Sequence, residues 1–237
     1  MFLFYLTTLV ALFVSLTNEC KRLFNRHLLK NQNDQFSFLI YNHYLCNMKK
    51  ILLHACCAPC SSAILEWMLN NDYQVVIYFC NPNIYPLEEY ELRKSELIKY
   101  AEKLGVEFID DDYNHADWLE YIKGLENEKE RGPRCLMCFK YRLLKTARKA
   151  LELGIEEFTT TLASSRWKSL NQINEAGNWA VEQLKEECNS KGLTLKFDDR
   201  NWRKGGLQQR RNELLKENAF YNQLYCGCEF SVSTFKM

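Results

Sequence analysis

The chain has 237 residues, which is enough for one large α/β domain or two small ones. With 47% apolar and 26% charged residues, it can bury a sizeable core and does not need disulfide bonds to fold. Its formal net charge of +1 excludes the overall basic character of many nucleic-acid-binding proteins, although local basic clusters are compatible with it.

The first 47 residues differ in character from the rest of the chain. Residues 1–16 carry no charge, but they lack the basic start and the small-residue cleavage site of a signal peptide. They are also shorter than the ~20 apolar residues that span a bilayer. Met48 begins the run Met-Lys-Lys-Ile-Leu-Leu, which is typical of a chain start leading into a strand. We therefore expect residues 1–47 to be an extension outside the fold, with a membrane anchor as the alternative.

From residue 50 onward, short apolar runs alternate with longer amphipathic segments. These runs predict strands over residues 50–55, 73–81, 106–110, 156–163 and 193–199. The amphipathic segments predict helices over residues 61–71, 88–105, 116–126, 135–153, 169–187 and 206–218. Ser61 or Ser62 is the expected cap of the first helix. Such alternation with short loops indicates a three-layer α/β fold, in which helices flank a parallel sheet.

In a parallel sheet, functional sites collect in the loops at the carboxyl ends of the strands. The loop after the first strand, "CCAPC", is rich in cysteine, and the loop after the third, "DDDYN", is acidic. The loops after the fourth and fifth strands, "SSRWK" and "RNWRK", combine basic and aromatic residues. The first loop lacks the glycines of a phosphate-binding fingerprint, which argues against a nucleotide cofactor.

The chain has eleven cysteines, an odd and high number, and several of them form tight clusters. This clustering differs from the spread framework of extracellular proteins and indicates metal or redox chemistry in a cytoplasmic protein. Cys135 and Cys138 form a CxxC pair whose sulfurs can face one metal, although unreactive buried cysteines are the alternative. Cys56 and Cys57 are adjacent, so both face one centre only if the chain bends sharply after the first strand.

Four cysteines in this pattern suit an iron–sulfur cube better than a single zinc ion. Structural zinc sites prefer the C-x(2–4)-C spacing in both halves, which an adjacent pair lacks. A 4Fe-4S cluster is larger and takes four thiolates spread around it. Cys60 is left over, and it either binds an additional metal beside the cluster or packs at the start of the helix.

Cys226 and Cys228 flank Gly227 near the end of the chain. This spacing is too tight for an unstrained disulfide, and strained disulfides have more oxidising potentials. Gly227 allows the backbone distortion that such a bridge needs. The pattern favours a redox-active pair, with a metal site as the competing interpretation.

Polar residues of the predicted loops are further candidates. Asp110 and Asp111 could donate protons or bind an adjacent metal, or they could form a solvated acidic turn. Basic and aromatic residues of the last two loops could hold a phosphate backbone and stack an unpaired base, with a solvated surface as the alternative. They are Arg166, Trp167, Lys168, Arg200, Trp202, Arg203 and Lys204.

From about Lys49 to Phe230, the sequence resembles the cobalamin-independent epoxyqueuosine reductase family, QueH. The resemblance rests on six motifs in this order: "LLHACCAPC", "NPNIYPLEEYELR", "DDDYN", "RCLMCFKYRL", "FTTTLASS" and "YCGCEFS". It implies a fold similar to that of adenine-nucleotide α-hydrolases (HUP or Rossmann-like domains). It also implies that residues 48–237 form a single iron–sulfur catalytic domain.

The resemblance further implies reduction of epoxyqueuosine to queuosine at the wobble position of tRNA, the last step of tRNA queuosine biosynthesis. The tRNA acceptors would be those for Asp, Asn, His and Tyr, and the electron donor would be a protein such as ferredoxin or flavodoxin. No stable membrane association is expected. By the same resemblance, Cys56, Cys57, Cys135 and Cys138 would hold the 4Fe-4S cluster, and Cys226 with Cys228 would form a redox-active disulfide.

The chemistry is consistent with this assignment. Turning an epoxide into an alkene is a two-electron deoxygenation, and a cluster delivers one electron at a time, so a Lewis acid or proton donor must assist C–O cleavage. We hypothesise an adjacent mononuclear iron held by Cys60 or by an aspartate, Asp110 or Asp111. A zinc-stabilised RNA-binding module without catalysis is the alternative function, and a thiol–disulfide oxidoreductase is a third.

Overall fold

A computed structural model describes residues 48–234, so the expected extension over residues 1–47 lies outside the described residues. The chain divides into two compact units. Of the described residues, 48–49 and 72–74 belong to one unit, and residues 50–71 and 75–234 belong to the other. All of the candidate site residues belong to the second unit, and the predicted division into an extension and a catalytic domain stays a prediction.

Five parallel strands form one sheet, which confirms the predicted fold class. They are β1 (Lys49–His54), β2 (Tyr73–Phe79), β3 (Glu107–Asp110), β4 (Glu157–Thr160) and β5 (Lys196–Phe197). Their order across the sheet is β3-β2-β1-β4-β5. The order reverses direction between β1 and β4, and such a reversal opens a crevice at the carboxyl ends of the two strands.

Seven α-helices flank the sheet in the described part of the chain. They are α1 (Ala58–Asn70), α2 (Leu87–Leu104), α3 (His115–Tyr121), α4 (Pro133–Glu152), α5 (Leu170–Gln183), α6 (Lys185–Lys191) and α7 (Leu207–Glu217). Helix α4 packs against α5, and α7 packs against α1. Among the described residues, no helix has both the length and the apolar character needed to cross a membrane.

The first helix begins earlier than predicted, at Ala58, and neither Ser61 nor Ser62 is its cap. Cys57 occupies the N-cap position with extended backbone angles, and proline stands in the first turn. Pro59 is favoured there because its fixed φ suits a helix and its missing N–H needs no partner. The Ser61 hydroxyl instead donates to the carbonyl of Cys57 at 2.7 Å, within the helix. This correction places the cysteine loop directly at a helix N-terminus.

Several other predicted elements are shorter in the structure. Strand β4 ends at Thr160 and continues as a 3₁₀ turn over Thr161–Ser164, because the Thr160 hydroxyl accepts a hydrogen bond from the N–H of Leu162. The helix predicted over residues 169–187 divides at Leu184 into α5 and α6. The last strand pairs over two residues only. The shortened β4 places its following loop at the crevice.

Candidate functional site

A cavity of about 570 Å³ lies where β1 and β4 end. Its lining comes mainly from the loops after these strands, the first half of α4 with the loop before it, α7 and the C-terminal segment. Six cysteines line it, namely Cys56, Cys60, Cys135, Cys138, Cys226 and Cys228. The three cysteine groups of the sequence, which are far apart along the chain, therefore share one cavity.

The first cysteine group is compact. The sulfurs of Cys56, Cys57 and Cys60 all lie within 4.8 Å of one another, and those of Cys56 and Cys57 are 3.8 Å apart. The chain bends at Cys57, where β1 leads into α1, and this bend brings the adjacent sulfurs together. Cys60 follows within the first turn of the helix. The structure thus brings Cys60 to the pair, which the sequence left open.

Mutual hydrogen bonding divides the charge of these three thiols unevenly. Hydrogen bonds from Cys57 and Cys60 lower the pKa of Cys56 well below its usual range. Burial raises the pKa of Cys57, and the hydrogen bond with Cys56 raises the pKa of Cys60 to about 11. Negative charge in this group is therefore favoured on Cys56 over Cys57 and Cys60, and the three sulfurs form a soft donor set suited to iron or zinc.

The CxxC pair lies in the first two turns of α4. Residues three apart on a helix share a face, so Cys135 and Cys138 both reach the cavity. The backbone N–H of Arg131 points at the sulfur of Cys135, at 3.3 Å. Burial raises the pKa of Cys138 and raises that of Cys135 to about 11. Both groups are thiols in the absence of a bound cation.

The Cys-Gly-Cys segment (residues 226–228) is held in place by two elements of the domain. The guanidinium of Arg93 donates to the carbonyls of Tyr225 and Cys226, and the N–H of Tyr85 donates to the carbonyl of Gly227 at 2.8 Å. The structure records both thiols of the segment as free. The redox-active disulfide stays a prediction.

Two further residues belong to the site. Gln223 was not predicted from the sequence, and Lys168 was predicted only as one of several basic loop residues. The Gln223 amide donates to the sulfur of Cys57 at 2.8 Å and lies 3.7 Å from that of Cys60. Burial alone would lower the pKa of Lys168, but the charges of Cys226 and of the first cysteine group outweigh it and raise this pKa. Lys168 is therefore a protonated cation among the thiols. In the sequence, the only indication of this role is that Lys168 lies in the loop after β4.

The two aspartates predicted as catalytic residues lie elsewhere. Asp110 accepts hydrogen bonds from Tyr90 at 3.1 Å and Lys94 at 3.0 Å, and Asp111 forms an ion pair with Lys145 at 2.6 Å. Neither belongs to the cavity lining. The reason is topological: β3 is an edge strand, separated from β1 by β2. The structure does not bring these carboxylates to the thiols, and their catalytic role stays a prediction.

His54, which precedes the cysteine loop, is buried and fully bonded. Its two ring nitrogens lie 2.7 Å from the hydroxyl of Thr160 and 3.0 Å from the carbonyl of Cys80. Burial lowers its pKa to about 3. The neutral imidazole therefore connects β1 with the ends of β4 and β2 and does not face the cavity.

The two tryptophans of the basic loops have opposite environments. Trp202 is buried, packs against Trp67 and donates to the hydroxyl of Thr159, so its predicted role in stacking a base is wrong. Trp167 is 70% exposed and lines the cavity. Of the predicted basic residues, Arg166, Lys168 and Arg203 line the cavity, whereas Arg200 and Lys204 do not.

Comparisons with known proteins all point to one family. The family model described as Epoxyqueuosine reductase QueH matches residues 51–234, which include all three cysteine groups. The Epoxyqueuosine reductase QueH of Histophilus somni is 48% identical over 183 residues, covering 77% of this chain and 72% of that protein. Its counterpart from Haemophilus influenzae is 46% identical over 77% of this chain and 71% of its own length. For the Thermotoga maritima protein of the same name, the identity is 33%, over 78% of this chain and 91% of its own length.

Proposed function

Because this chain belongs to the epoxyqueuosine reductase QueH family, we propose that it reduces the epoxide of epoxyqueuosine in tRNA to the alkene of queuosine. The observation that carries the proposal is the convergence of three cysteine groups on one cavity at the crevice of the sheet. The substrates would be the tRNAs for Asp, Asn, His and Tyr, and the enzyme would act in the cytoplasm.

The donor set of the cavity fits an iron–sulfur cofactor. Three sulfurs lie within 4.8 Å of one another, and four further thiols line the same cavity, so the site offers a sulfur-rich donor set that soft metals prefer. Cys56, Cys57, Cys135 and Cys138 would hold the 4Fe-4S cluster, which would supply single electrons at low potential. Cys60 would be the thiol ligand of an adjacent mononuclear iron.

Cationic side chains around the thiols have a role of their own. Lys168 carries its charge among Cys56, Cys60 and Cys226, and the charge of Arg142 offsets part of the rise that burial causes in the pKa of Cys138. These cations offset the negative charge of deprotonated sulfurs in a partly buried site. They also favour the binding of an anionic substrate at the same cavity.

The Cys-Gly-Cys segment would hold the two electrons that the reaction needs and would pass them on one at a time through the cluster. A dithiol that becomes a disulfide releases two electrons and two protons, and the conversion of an epoxide to an alkene and water consumes the same number of each. Cys226 and Cys228 line the cavity in which the substrate would bind. An external donor such as ferredoxin or flavodoxin would then reduce the disulfide again.

The test is complementation in a bacterial strain that lacks its own epoxyqueuosine reductase. We expect mass spectrometry of its tRNA nucleosides to show loss of epoxyqueuosine and gain of queuosine when this chain is expressed. The Cys135→Ser variant should leave epoxyqueuosine in place. Cys188→Ser, which changes a buried cysteine outside the cavity lining, is the matched control and should behave as the wild type.

Anaerobic purification separates this function from the alternative. A brown protein with broad visible absorption is expected for the reductase. A colourless zinc protein that binds RNA and leaves epoxyqueuosine unchanged would instead establish the zinc-stabilised RNA-binding module.

A further inference from the structure

The two most exposed large apolar side chains among the described residues lie at the same cavity. Trp167 is 70% exposed and Leu224 is 77% exposed, and both belong to the lining. Trp167 follows β4, whereas Leu224 belongs to the C-terminal segment that carries Cys226. A tryptophan that stays exposed to water does not contribute the large hydrophobic free energy of its burial to folding. Exposed large apolar side chains are concentrated at binding surfaces.

The backbone that carries Trp167 is held by arginines. Arg131 donates from its guanidinium to the carbonyl of Trp167 at 2.8 Å and to that of Arg166 at 3.2 Å. Arg203 donates to the next carbonyl, that of Lys168, at 2.8 Å. Three successive carbonyls are therefore fixed, and the exposed indole stands on an ordered loop. A rigid aromatic ring loses little conformational entropy when a ligand stacks on it.

Arg131 also connects this loop to the thiols. Its backbone N–H points at the sulfur of Cys135, and its φ of +63° lies in the left-handed region that a bulky side chain rarely adopts. Such strained residues cluster at functional sites, where the surrounding contacts hold them. The position of Trp167 is thus coupled to the first turn of α4.

The charge of the lining identifies the class of ligand. Eight of the lining residues are Arg or Lys and one, Glu130, is acidic, although the whole chain has a net charge of +1. Positive charge is therefore concentrated at this cavity. A basic surface with an exposed aromatic ring fits single-stranded nucleic acid, whose phosphates bind the cations and whose bases stack on the ring.

We propose that Trp167 stacks on an unpaired base next to the modified nucleotide, and that Leu224 packs against the same RNA at this cavity. The Arg166 guanidinium lies 5.4 Å from the centre of the Trp167 ring, so a positive charge already stands beside the ring that would receive the base. A nucleotide must leave its own stack to enter a pocket, and stacking of its neighbour offsets part of that cost. This inference rests on the proposed function, since it names how the RNA substrate is held.

The direct test measures binding of a fluorescently labelled RNA hairpin with a loop of anticodon size, by anisotropy, to anaerobically purified holoprotein. We expect Trp167→Ala to weaken binding by roughly five- to one hundred-fold, the equivalent of one base stacked on an aromatic ring. Trp167→Phe should keep most of the affinity, and Leu224→Ala should lose less than Trp167→Ala. Leu92→Ala, an exposed leucine of α2 outside the lining, is the control and should bind as the wild type.

Two further measurements separate this inference from the proposed function. The affinity for a fully paired RNA duplex should be the same for Trp167→Ala and the wild type, and the variant should raise KM for tRNA while leaving kcat nearly unchanged. If Trp167→Ala binds the hairpin as tightly as the wild type, the inference is wrong even when reductase activity is present. If the wild type shows the expected Trp167 dependence but leaves epoxyqueuosine intact, the proposed function fails and the RNA-binding role of this surface stands.

Discussion

The guanidinium of Arg93 donates a hydrogen bond to the backbone carbonyl of Cys226 at 3.3 Å, across 133 positions of the chain. The same group donates to the carbonyl of Tyr225, and an ion pair of 2.6 Å with Glu89, one turn earlier on α2, orients it. The Arg93 side chain is 2% exposed. A buried arginine therefore determines where the Cys-Gly-Cys segment lies relative to the cavity.

Replacing Arg93 by Met should destabilise the protein and release this segment. The substitution removes the donor of two carbonyls and the cation paired with Glu89, whose carboxylate keeps only the Tyr221 hydroxyl as a donor among the described residues, at 3.1 Å. Breaking one side of a buried ion pair costs about 3–5 kcal/mol. Urea unfolding would measure that loss, and the alkylation rate of Cys226 should rise because the segment becomes mobile. Arg93→Lys keeps the charge but lacks the planar fork, so it should retain more stability and still show the faster alkylation.

Gly227 allows the backbone distortion of the Cys-Gly-Cys segment, and it also leaves room for the side chains of Ile84 and Arg93, which lie close to its Cα atom. A Cβ atom there would lie 2.9 Å from Cγ1 of Ile84 and 3.1 Å from a guanidinium nitrogen of Arg93, in a backbone with φ of +99°. We expect Gly227→Ala to lower the free energy of unfolding and the reductase activity together.

Gly124→Ala is the matched control for this substitution. Gly124 has a φ of +84°, but a Cβ atom there would have open space within 4 Å, so the variant carries the left-handed backbone cost of about 1–2 kcal/mol without the overlap. Chemical denaturation of both variants isolates the contribution of the close approach. Equal losses in the two variants would show that the contact with Ile84 and Arg93 is unimportant.

The sheet and its helices follow from local sequence patterns, which explains why the fold class was predictable. Ile51, Leu52 and Leu53 are all buried because β1 lies in the middle of a sheet with both faces covered, and such strands appear as unbroken apolar runs. The carboxyl ends of parallel strands lie at one edge of the sheet, where functional sites form. The cysteine loop was therefore correctly predicted to lie at this edge. Element boundaries were less predictable, since side-chain caps such as that of Thr160 decide them.

The residues that escaped prediction depend on contacts between distant parts of the chain. Arg93 is buried on α2 because Glu89 and the C-terminal segment bond to its charge, and a helical pattern treats any arginine as exposed. Trp167 and Trp202 both follow a strand and stand beside basic residues, yet only tertiary packing exposes one and buries the other. The acidic loop was placed at the correct edge of the sheet, but strand order removed Asp110 and Asp111 from the cavity.

Gln223 should influence the redox behaviour of the site. Its amide donates to the sulfur of Cys57 at 2.8 Å, and hydrogen bonds to coordinating sulfurs stabilise the more negative, reduced state of an iron–sulfur cluster. We therefore expect Gln223→Ala to shift the midpoint potential of the holoprotein to more negative values, measured by anaerobic redox titration. Gln209→Ala, an exposed glutamine of α7, should leave the potential unchanged.

Cys60 provides the sharpest test of how metal is distributed in the cavity. Its sulfur lies with those of Cys56 and Cys57, but the proposed cluster takes Cys135 and Cys138 as its other ligands, so Cys60 would serve a separate iron. Cys60→Ser should lose the iron beyond that of one 4Fe-4S cluster, keep the visible absorption of the cluster, and lose turnover. Cys138→Ser should lose the absorption itself. A wild-type protein that is fully active with the iron of one cluster alone would eliminate the mononuclear iron and leave Cys60 as a packing residue at the start of α1.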